Sequence, residues 1–239
     1  MSIVAIIPAR GGSKRIPRKN IKLFHGQPML AYSIRAAQNS GLFDRIVVST
    51  DDEEIAAMAR QLGAETPFVR PAELADDFST TVDVIRHSVQ ALQQQGEPVD
   101  YACCIYATAP FVQPQYLQQG LQQLQAHPDK AYAFSVTTFP FPIQRAIRLN
   151  QAGEIEAMHP EYRNTRSQDL EEAYHDAGQF YWGRASSWVD RAILFSTASL
   201  PVILPRYLVQ DIDTAEDWHR AELMYQALLQ SGDIASCAS

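Results

Sequence analysis

Short apolar segments alternate with amphipathic segments along the first half of the chain. Runs rich in β-branched residues predict strands at 3–7, 45–49, 65–69 and 101–106. Between them, apolar residues at helical spacing predict helices near 28–40, 52–61 and 80–95. This alternation is typical of a mostly parallel sheet with helices packed on both faces. The pattern therefore predicts an α/β fold arranged as a three-layer sandwich.

The alternation ends after a helix near 114–126 and a strand at 131–137. Residues 138–180 are rich in proline and aromatic side chains and have weak periodicity, so they predict a small inserted subdomain. A final helix is predicted from about residue 214, where Thr214 and Asp217 have the spacing of a capping box. We expect one Rossmann-like domain spanning residues 1–239, with this one insertion.

Charge is distributed unevenly along the chain. The 20 Lys and Arg residues against 27 Asp and Glu give a net charge of −7. Five cations nevertheless fall within the first twenty residues: Arg10, Lys14, Arg15, Arg18 and Lys19. An acidic protein with one basic segment lacks the broad positive surface that would follow a nucleic-acid backbone. We therefore predict a site for a small anion and no nucleic-acid partner.

Targeting signals are not evident in the sequence. No apolar run approaches the length of about 20 residues that spans a bilayer, and the N-terminus leads directly into the first predicted strand. Cys103 and Cys104 are adjacent in an apolar strand and should point to opposite faces of the sheet, while Cys237 lies in the tail. Three such cysteines do not suggest a disulfide or zinc site. We expect a cytoplasmic protein without a membrane partner.

The basic segment follows the first strand as a loop containing Gly11 and Gly12. Glycines allow a tight turn whose N–H groups approach an anion, and the surrounding cations supply charge. Neither the GxxxxGK[ST] motif of P-loop proteins nor the GxGxxG dinucleotide fingerprint is present. The loop is interpreted as a phosphate site of another kind, with a solvated basic turn as the alternative.

Two acidic pairs follow other predicted elements. Asp211 and Asp213 are two residues apart on a predicted strand end, so both carboxylates should lie on one side and could share a Mg²⁺ ion with phosphates. An exposed turn is the alternative. Asp51 and Asp52 precede a predicted helix, where acidic residues favour the N-terminus, and we interpret them as capping residues.

Six segments of the chain together resemble a known family. They are ARGGSKRIPRKN at 9–20, FDRIVVSTDDEEIA at 43–56, RPAELADD at 70–77, YATAP at 106–110, NTRSQ at 164–168 and QDIDTAEDW at 210–218. In sequence and in order they are similar to the CMP-sugar synthetases, the cytidylyltransferases that activate sialic acids and related nine-carbon acidic sugars. The segments FPIQRAIRL at 141–149 and YHDAGQFYWG at 174–183 most resemble the branch that makes CMP-pseudaminic acid.

This resemblance implies transfer of CMP from CTP to a sugar hydroxyl, with Mg²⁺ as the cofactor. The implied catalytic residues are Arg10, Lys14, Lys19 and Asp211, and the implied metal ligands are Asp211 and Asp213. Nucleotide contacts are expected from Arg10, Gly11, Gly12, Ser13, Lys14, Asn20, Arg70 and Thr80. A helix N-cap is the alternative role for Thr80. Because related synthetases use the equivalent insertion to dimerise and to close over a neighbour's site, a homodimer is also expected.

The sugar pocket is expected to use residues that differ from those of sialic acid enzymes. Tyr106 occupies a position where those enzymes have glutamine, and His175 with Asp176 replaces an arginine-containing segment. The expected sugar contacts are Tyr106, Gln144, Arg145, Arg166, His175, Gln179, Phe180 and Tyr181. An arginine should bind the sugar carboxylate, with Arg145, Arg148 and Arg166 as candidates and a surface ion pair as the alternative for each.

Several other functions remain to be compared with pseudaminic acid transfer. Within the class, the sugar could be a sialic acid, legionaminic acid or Kdo. Outside it, a non-catalytic nucleotide-binding domain could keep the same fold, but the joint presence of the three catalytic cations and both metal aspartates argues against it. A Rossmann oxidoreductase is excluded by the missing glycine fingerprint.

Overall fold

A computed structural model describes residues 1–76 and 78–237 of the chain. The strands are β1 (Ile3–Pro8), β2 (Leu23–Phe24), β3 (Gln27–Pro28), β4 (Arg45–Ser49), β5 (Tyr101–Ile105), β6 (Tyr132–Thr138), β7 (Ile147–Leu149), β8 (Ile155–Ala157), β9 (Tyr174–Arg184) and β10 (Ser199–Ile203). The helices are α1 (Met29–Ser40), α2 (Glu53–Gln61), α3 (Thr81–Gln94), α4 (Pro114–Ala126), α5 (Ala185–Val189) and α6 (Ala215–Ser231).

Six strands form the central sheet, in the order β10-β6-β9-β5-β1-β4. Every neighbouring pair is parallel except those made by β9, which runs antiparallel to both β5 and β6. The predicted mostly parallel sheet is therefore confirmed. Because β4, β1 and β5 are parallel, the loops that follow them leave the sheet at the same edge.

Helices cover both faces of this sheet, as the three-layer prediction requires. Apolar residues of α1, α2 and α4 pack on one face, and those of α3 and α5 pack on the other. Alternate residues of β1 divide between these two cores, as do Cys103 and Cys104, which confirms that the cysteines point to opposite faces. The helix α6 completes a third cluster, in which Trp218 and Tyr225 surround the ring of Phe24.

The predicted strand at 65–69 does not form. Only Glu65 makes a bridge, to Val47 in the edge strand β4. Pro67 follows two residues later and has no N–H group with which to continue the ladder, so the chain leaves the sheet there.

The inserted segment is shorter than the sequence pattern suggests. Residues 139–173, which we call the arm, lie between β6 and β9 and contain the small hairpin of β7 and β8. Residues 174–180 already belong to β9 in the central sheet, so the predicted boundary at 180 is wrong. The start of this strand is hard to recognise from sequence because Tyr174, His175 and Asp176 are polar and at least partly exposed, and Gly178 follows, so the apolar run of a buried strand begins only later.

Within the described residues, the helices are too short or too polar to cross a lipid bilayer.

Candidate active site

A basic cleft of about 610 Å³ lies at the carboxyl ends of β1, β4 and β5. The loops that follow β1 and β5 line it directly, and Arg70 on its floor is hydrogen-bonded to Ser49 at the end of β4. The cations lining the cleft are Arg10, Lys14, Arg15, Lys19 and Arg70. Several cations around one cavity in an acidic protein produce a local positive potential suited to a polyphosphate.

The glycine-containing loop is fastened to the start of α2. The Gly11 N–H donates to Asp51 Oδ1 at 3.0 Å, and a Cβ atom at Gly11 would lie 2.7 Å from Asp52 Oδ2. Glycine is therefore required at position 11 by close approach. Asp52 caps α2 by accepting from the Ile55 N–H at 3.0 Å, which confirms the capping prediction for Asp52, whereas Asp51 binds the glycine-containing loop.

Arg18 strengthens the same attachment from within the loop. Its Nη1 donates to Asp52 Oδ2 at 2.5 Å, and this hydrogen bond lowers the pKa of the Asp52 carboxyl below its usual value. Arg18 has φ of 55°, a left-handed conformation that costs energy for a side chain with a Cβ atom. Of the five cations in this loop, Arg18 therefore serves to attach the loop to the start of α2.

Two polar residues of the loop are bound to its own backbone. Asn20 is buried and donates Nδ2–H to the Arg10 carbonyl at 2.9 Å, while the Ser13 hydroxyl donates to the Ile16 carbonyl at 2.6 Å. Both residues line the cleft, but these bonds shape the loop that presents Arg10 and Lys14.

Arg70 forms the buried floor of the basic cleft. Its guanidinium donates Nε–H to Ser49 Oγ at 3.2 Å and Nη2–H to the Ser49 carbonyl. Burial lowers the pKa of Arg70 to about 10, and the nearby charge of Arg10 acts in the same direction. Arg70 stays protonated at neutral pH, and its charge repels that of Arg10. An incoming anion would relieve this repulsion, which favours its binding.

The structure changes the role expected of Thr80. Its hydroxyl oxygen accepts from the Asp83 N–H at 3.2 Å, so Thr80 is the N-cap of α3, and it does not line the cleft. The next residue, Thr81, does line it and lies 2.8 Å from the Tyr106 hydroxyl. Sequence reasoning missed Thr81. Because consecutive residues at the start of a helix point in different directions, a threonine that follows a capping threonine faces a different side, and this was the signal that could have indicated it.

A second cleft, of about 870 Å³, adjoins the first. It is lined by His175, Asp176 and Tyr181 from β9 and by the loop that contains Asp211. Three residues line both clefts: Arg15, Tyr106 and Asp213. A group bound in one cavity would therefore meet a group bound in the other beside these three side chains.

The aspartate pair lies in a loop rather than on a strand end. Strand β10 ends at Ile203, and a single 3₁₀ turn, Arg206–Leu208, separates it from Asp211 and Asp213. The strand-based argument for their common side is therefore wrong. Pro201 is tolerated within β10 because β10 is an edge strand, whereas Pro205, which follows its end, has no N–H group with which to continue the ladder.

Both carboxylates nevertheless reach the second cleft. Asp213 forms ion pairs with Arg15 at 2.9 Å and Lys19 at 3.3 Å, and Lys19 also donates to the Ile212 carbonyl at 2.6 Å. Desolvation, followed by the charge of Asp213, raises the pKa of Asp211. The two aspartates offer the oxygen ligands that a hard divalent cation prefers. In the described residues no third acidic, histidine or cysteine ligand joins them, so phosphate and water would complete the shell.

The profile of the family described as cytidylyltransferase matches residues 4–206 of the chain. The chain belongs to the cytidylyltransferase family. It is 44% identical over 226 residues to a pseudaminic acid cytidylyltransferase of Campylobacter jejuni, an alignment that covers 95% of this chain and 97% of that protein. It is also 31% identical to the CMP-N,N'-diacetyllegionaminic acid synthase of Legionella pneumophila, with coverage of 95% and 97%. These matches confirm the resemblance and identify a CTP-dependent nucleotidyltransferase.

Solved structures of similar fold support this assignment of the architecture. A CMP:2-keto-3-deoxy-manno-octonic acid synthetase complexed with CTP superimposes with a TM-score of 0.69 at 17% identity, covering 95% of this chain and all (100%) of that one. The 4-diphosphocytidyl-2C-methyl-D-erythritol synthase of Anaerococcus prevotii gives a TM-score of 0.62 at 14% identity, covering 94% and 98%. At these identities the likeness concerns the fold alone.

In this cytidylyltransferase, only part of the expected sugar set reaches the second cleft. Tyr106, His175 and Tyr181 line it. Phe180 instead points into the core beside α4, where a Cβ atom on Gly120 would lie 3.3 Å from its ring, so a sugar contact by Phe180 is excluded. Gln179 is buried too, and donates to the Leu208 carbonyl.

Three other expected sugar contacts, Gln144, Arg145 and Arg166, lie on the arm and line neither cleft of their own chain. Arg145 donates to the Arg163 carbonyl at 3.1 Å, and Arg166 pairs with Asp169 at 2.7 Å. Arg148 likewise pairs with Glu156. Arg148 and Arg166 therefore form the surface ion pairs that were the alternative interpretation, whereas Arg145 is bound to backbone carbonyl groups of the arm.

Two arginines that sequence reasoning missed do line the second cleft. They are Arg206, in the 3₁₀ turn after β10, and Arg220, on the second turn of α6. Arg220 donates Nε–H to Gln210 Oε1 at 2.8 Å, which fixes its position beside the aspartate loop. Neither residue lies in a motif, so only the folded position shows their relation to the cleft.

Proposed function

We propose that this enzyme transfers CMP from CTP to the anomeric hydroxyl of pseudaminic acid, giving CMP-pseudaminic acid and pyrophosphate. The observation that carries this proposal is the pair of adjoining clefts. One is basic and suits a triphosphate, while the other contains the YHDAG segment that most resembles the pseudaminic acid branch. The near full-length similarity to the Campylobacter jejuni enzyme supports the same sugar.

The basic cleft would hold CTP. Arg10 and Lys14 would bind the triphosphate from the glycine-containing loop, and Arg70 would add charge from the cleft floor. Fixed cations of this kind stabilise the charge that develops when the sugar hydroxyl attacks the α-phosphate and pyrophosphate leaves. Arg15 and Lys19 form ion pairs with Asp213 and would keep this side chain correctly positioned beside the α-phosphate, where the two clefts meet.

Asp211 and Asp213 would hold a divalent cation, and Mg²⁺ suits this oxygen donor set. When bound, such an ion neutralises phosphate charge and orients the triphosphate. Lys19 and Arg15 position Asp213 for this role, and a bound cation would offset the desolvation and the Asp213 charge that raise the pKa of Asp211. The three free cysteines suit the reducing cytoplasm in which CTP is made available, and we place the enzyme there.

The arm would form a homodimer. Exposed apolar side chains are concentrated on it, including Phe141, Ile147, Leu149 and Ile155. Clusters of exposed apolar residues of this kind mark interaction surfaces. Arg145 and Arg166, which lie outside their own clefts, would then be available to a neighbour's sugar site.

We expect the intact enzyme to sediment as a dimer, and replacement of both Ile147 and Leu149 by aspartate to give a monomer with reduced turnover. Ile193→Asp is the matched control, because Ile193 is equally exposed but lies outside the arm. A wild-type monomer in sedimentation velocity, or a double variant that remains dimeric, would contradict this use of the arm.

The catalytic proposal is tested by pyrophosphate release with CTP and Mg²⁺ against pseudaminic, legionaminic, N-acetylneuraminic and Kdo acids. We expect pseudaminic acid to be turned over with the highest kcat/KM. Legionaminic acid is the second candidate, because the chain is also similar to a legionaminic acid synthase. Preference for any other acid would overturn the sugar assignment, and no release with all four would refute catalysis itself.

A further inference from the structure

Strand β9 contains a bulge where it borders the second cleft. Phe134 of β6 pairs with Tyr181, but Val136, only two residues on, pairs with Asp176. The intervening residues of β9 are accommodated by Gly178, with φ of 62°, and by the Ser135 hydroxyl, which accepts from the Phe180 N–H at 3.2 Å. Bulges next to active sites change the direction in which side chains point.

This bulge brings Asp176 and Tyr181 onto the same side of the strand, although five residues of regular strand would place them on opposite faces. The Tyr181 hydroxyl donates to Asp176 Oδ2 at 2.5 Å, and the Gly178 N–H donates to Asp176 Oδ1 at 2.9 Å. Asp176 is exposed to the cleft while Tyr181 is buried. The Asp176 carboxylate is therefore fixed by two hydrogen-bond donors of the protein and faces the second cleft.

Two further hydroxyl-bearing side chains, Tyr106 and Thr81, lie between Tyr181 and the basic cleft. The rings of Tyr181 and Tyr106 pack together with centroids 5.3 Å apart, and the Tyr106 hydroxyl lies 2.8 Å from Thr81 Oγ1. Burial raises the pKa of both tyrosines, of Tyr106 to about 12, so both remain protonated donors at neutral pH. The ionised carboxylate can only accept, so Tyr181 donates to Asp176, and the packed ring of Tyr106 supports Tyr181 from the side of Thr81.

We propose that Asp176 determines sugar specificity by accepting a hydrogen bond from an acylamino N–H of the sugar acid, and that Tyr181 and Tyr106 are the residues that position it. This inference rests on the proposed transfer to pseudaminic acid, whose amino groups are acylated. A charged acceptor fixed by two internal donors retains free lone pairs for such an N–H. Sites built to hydrogen-bond a substrate group strongly reject analogues that lack it.

The test uses pseudaminic acid and two analogues in which one acetamido group at a time is replaced by an acetoxy group, which keeps the shape but removes the N–H. We expect the wild type to lose about ten- to a hundredfold in kcat/KM on one analogue. Asp176→Ala should lose a similar factor on pseudaminic acid itself and should no longer distinguish it from that analogue. Retention of CTP affinity would show that the variant is folded.

Tyr181→Phe distinguishes positioning from packing, because it keeps the ring and removes only the hydroxyl. We expect it to raise the KM for the sugar by about three- to tenfold while changing kcat little, and to add nothing in an Asp176→Ala background. Additive losses in the double variant would contradict the claim that Tyr181 acts by positioning Asp176. An Asp176→Ala enzyme that still discriminates against the analogue would overturn the specificity role alone, whereas a wild type inactive on pseudaminic acid would overturn the proposed function as well.

Discussion

Replacing Asp211 by asparagine should reduce turnover by about a hundred- to a thousandfold without unfolding the protein. The change keeps the shape of the side chain but removes one of the two negative charges proposed to hold the divalent cation, and metal stabilisation of phosphate charge contributes several kcal/mol. CTP turnover measured over a range of Mg²⁺ concentrations should show both a lower maximum and a weaker dependence on Mg²⁺.

The same variant makes a prediction about stability that separates a functional role from a structural one. A raised pKa means that the ionised form of Asp211 is disfavoured in the folded protein, here by desolvation and by the charge of Asp213. Removing that charge should leave the unfolding temperature unchanged or raise it. Glu216→Gln is the control, since Glu216 is an exposed first-turn residue of α6 that lines neither cleft, and it should change neither property. A large fall in the unfolding temperature of the Asp211 variant would instead indicate a structural residue.

Replacing Lys14 by methionine should lower kcat/KM for CTP by about a hundredfold. Lys14 lines the basic cleft on the glycine-containing loop, and methionine keeps much of the stem while removing the charge. The loss should be independent of the sugar acid used, because Lys14 does not line the second cleft. Initial rates with CTP varied at saturating sugar would measure it.

Lys22→Met is the matched control for this experiment. Lys22 lies just beyond the basic segment. Its Nζ is 4.3 Å from the centroid of the Trp218 ring, and the residue lines neither cleft. We expect wild-type kinetics from it and a small loss of stability, since cation–π contacts at exposed sites contribute about 0.5–1 kcal/mol. Equal loss of activity in the two variants would mean that general positive charge, rather than a specific phosphate contact, explains the effect.

The amino-acid sequence by itself determined the strand and helix alternation, the parallel sheet and the position of the glycine-containing basic loop after β1. These features depend on local periodicity and on a rule of topology: loops that follow parallel strands meet at one edge. The cations of the first loop could be assigned to an anion site from this rule, whereas Arg70 was added to the same site only by the resemblance to the CMP-sugar synthetases.

The tertiary structure alone decided which side chains enter the clefts. Thr81 rather than Thr80 faces the basic cleft, and Arg206 rather than an arm arginine reaches the second cleft of the same chain. The bulge in β9 directs Asp176 and Tyr181 to the cleft and Phe180 to the core. Side-chain direction in such segments depends on register, on an extra residue in a strand and on the packing of distant elements, and none of these has a period that can be read along the chain.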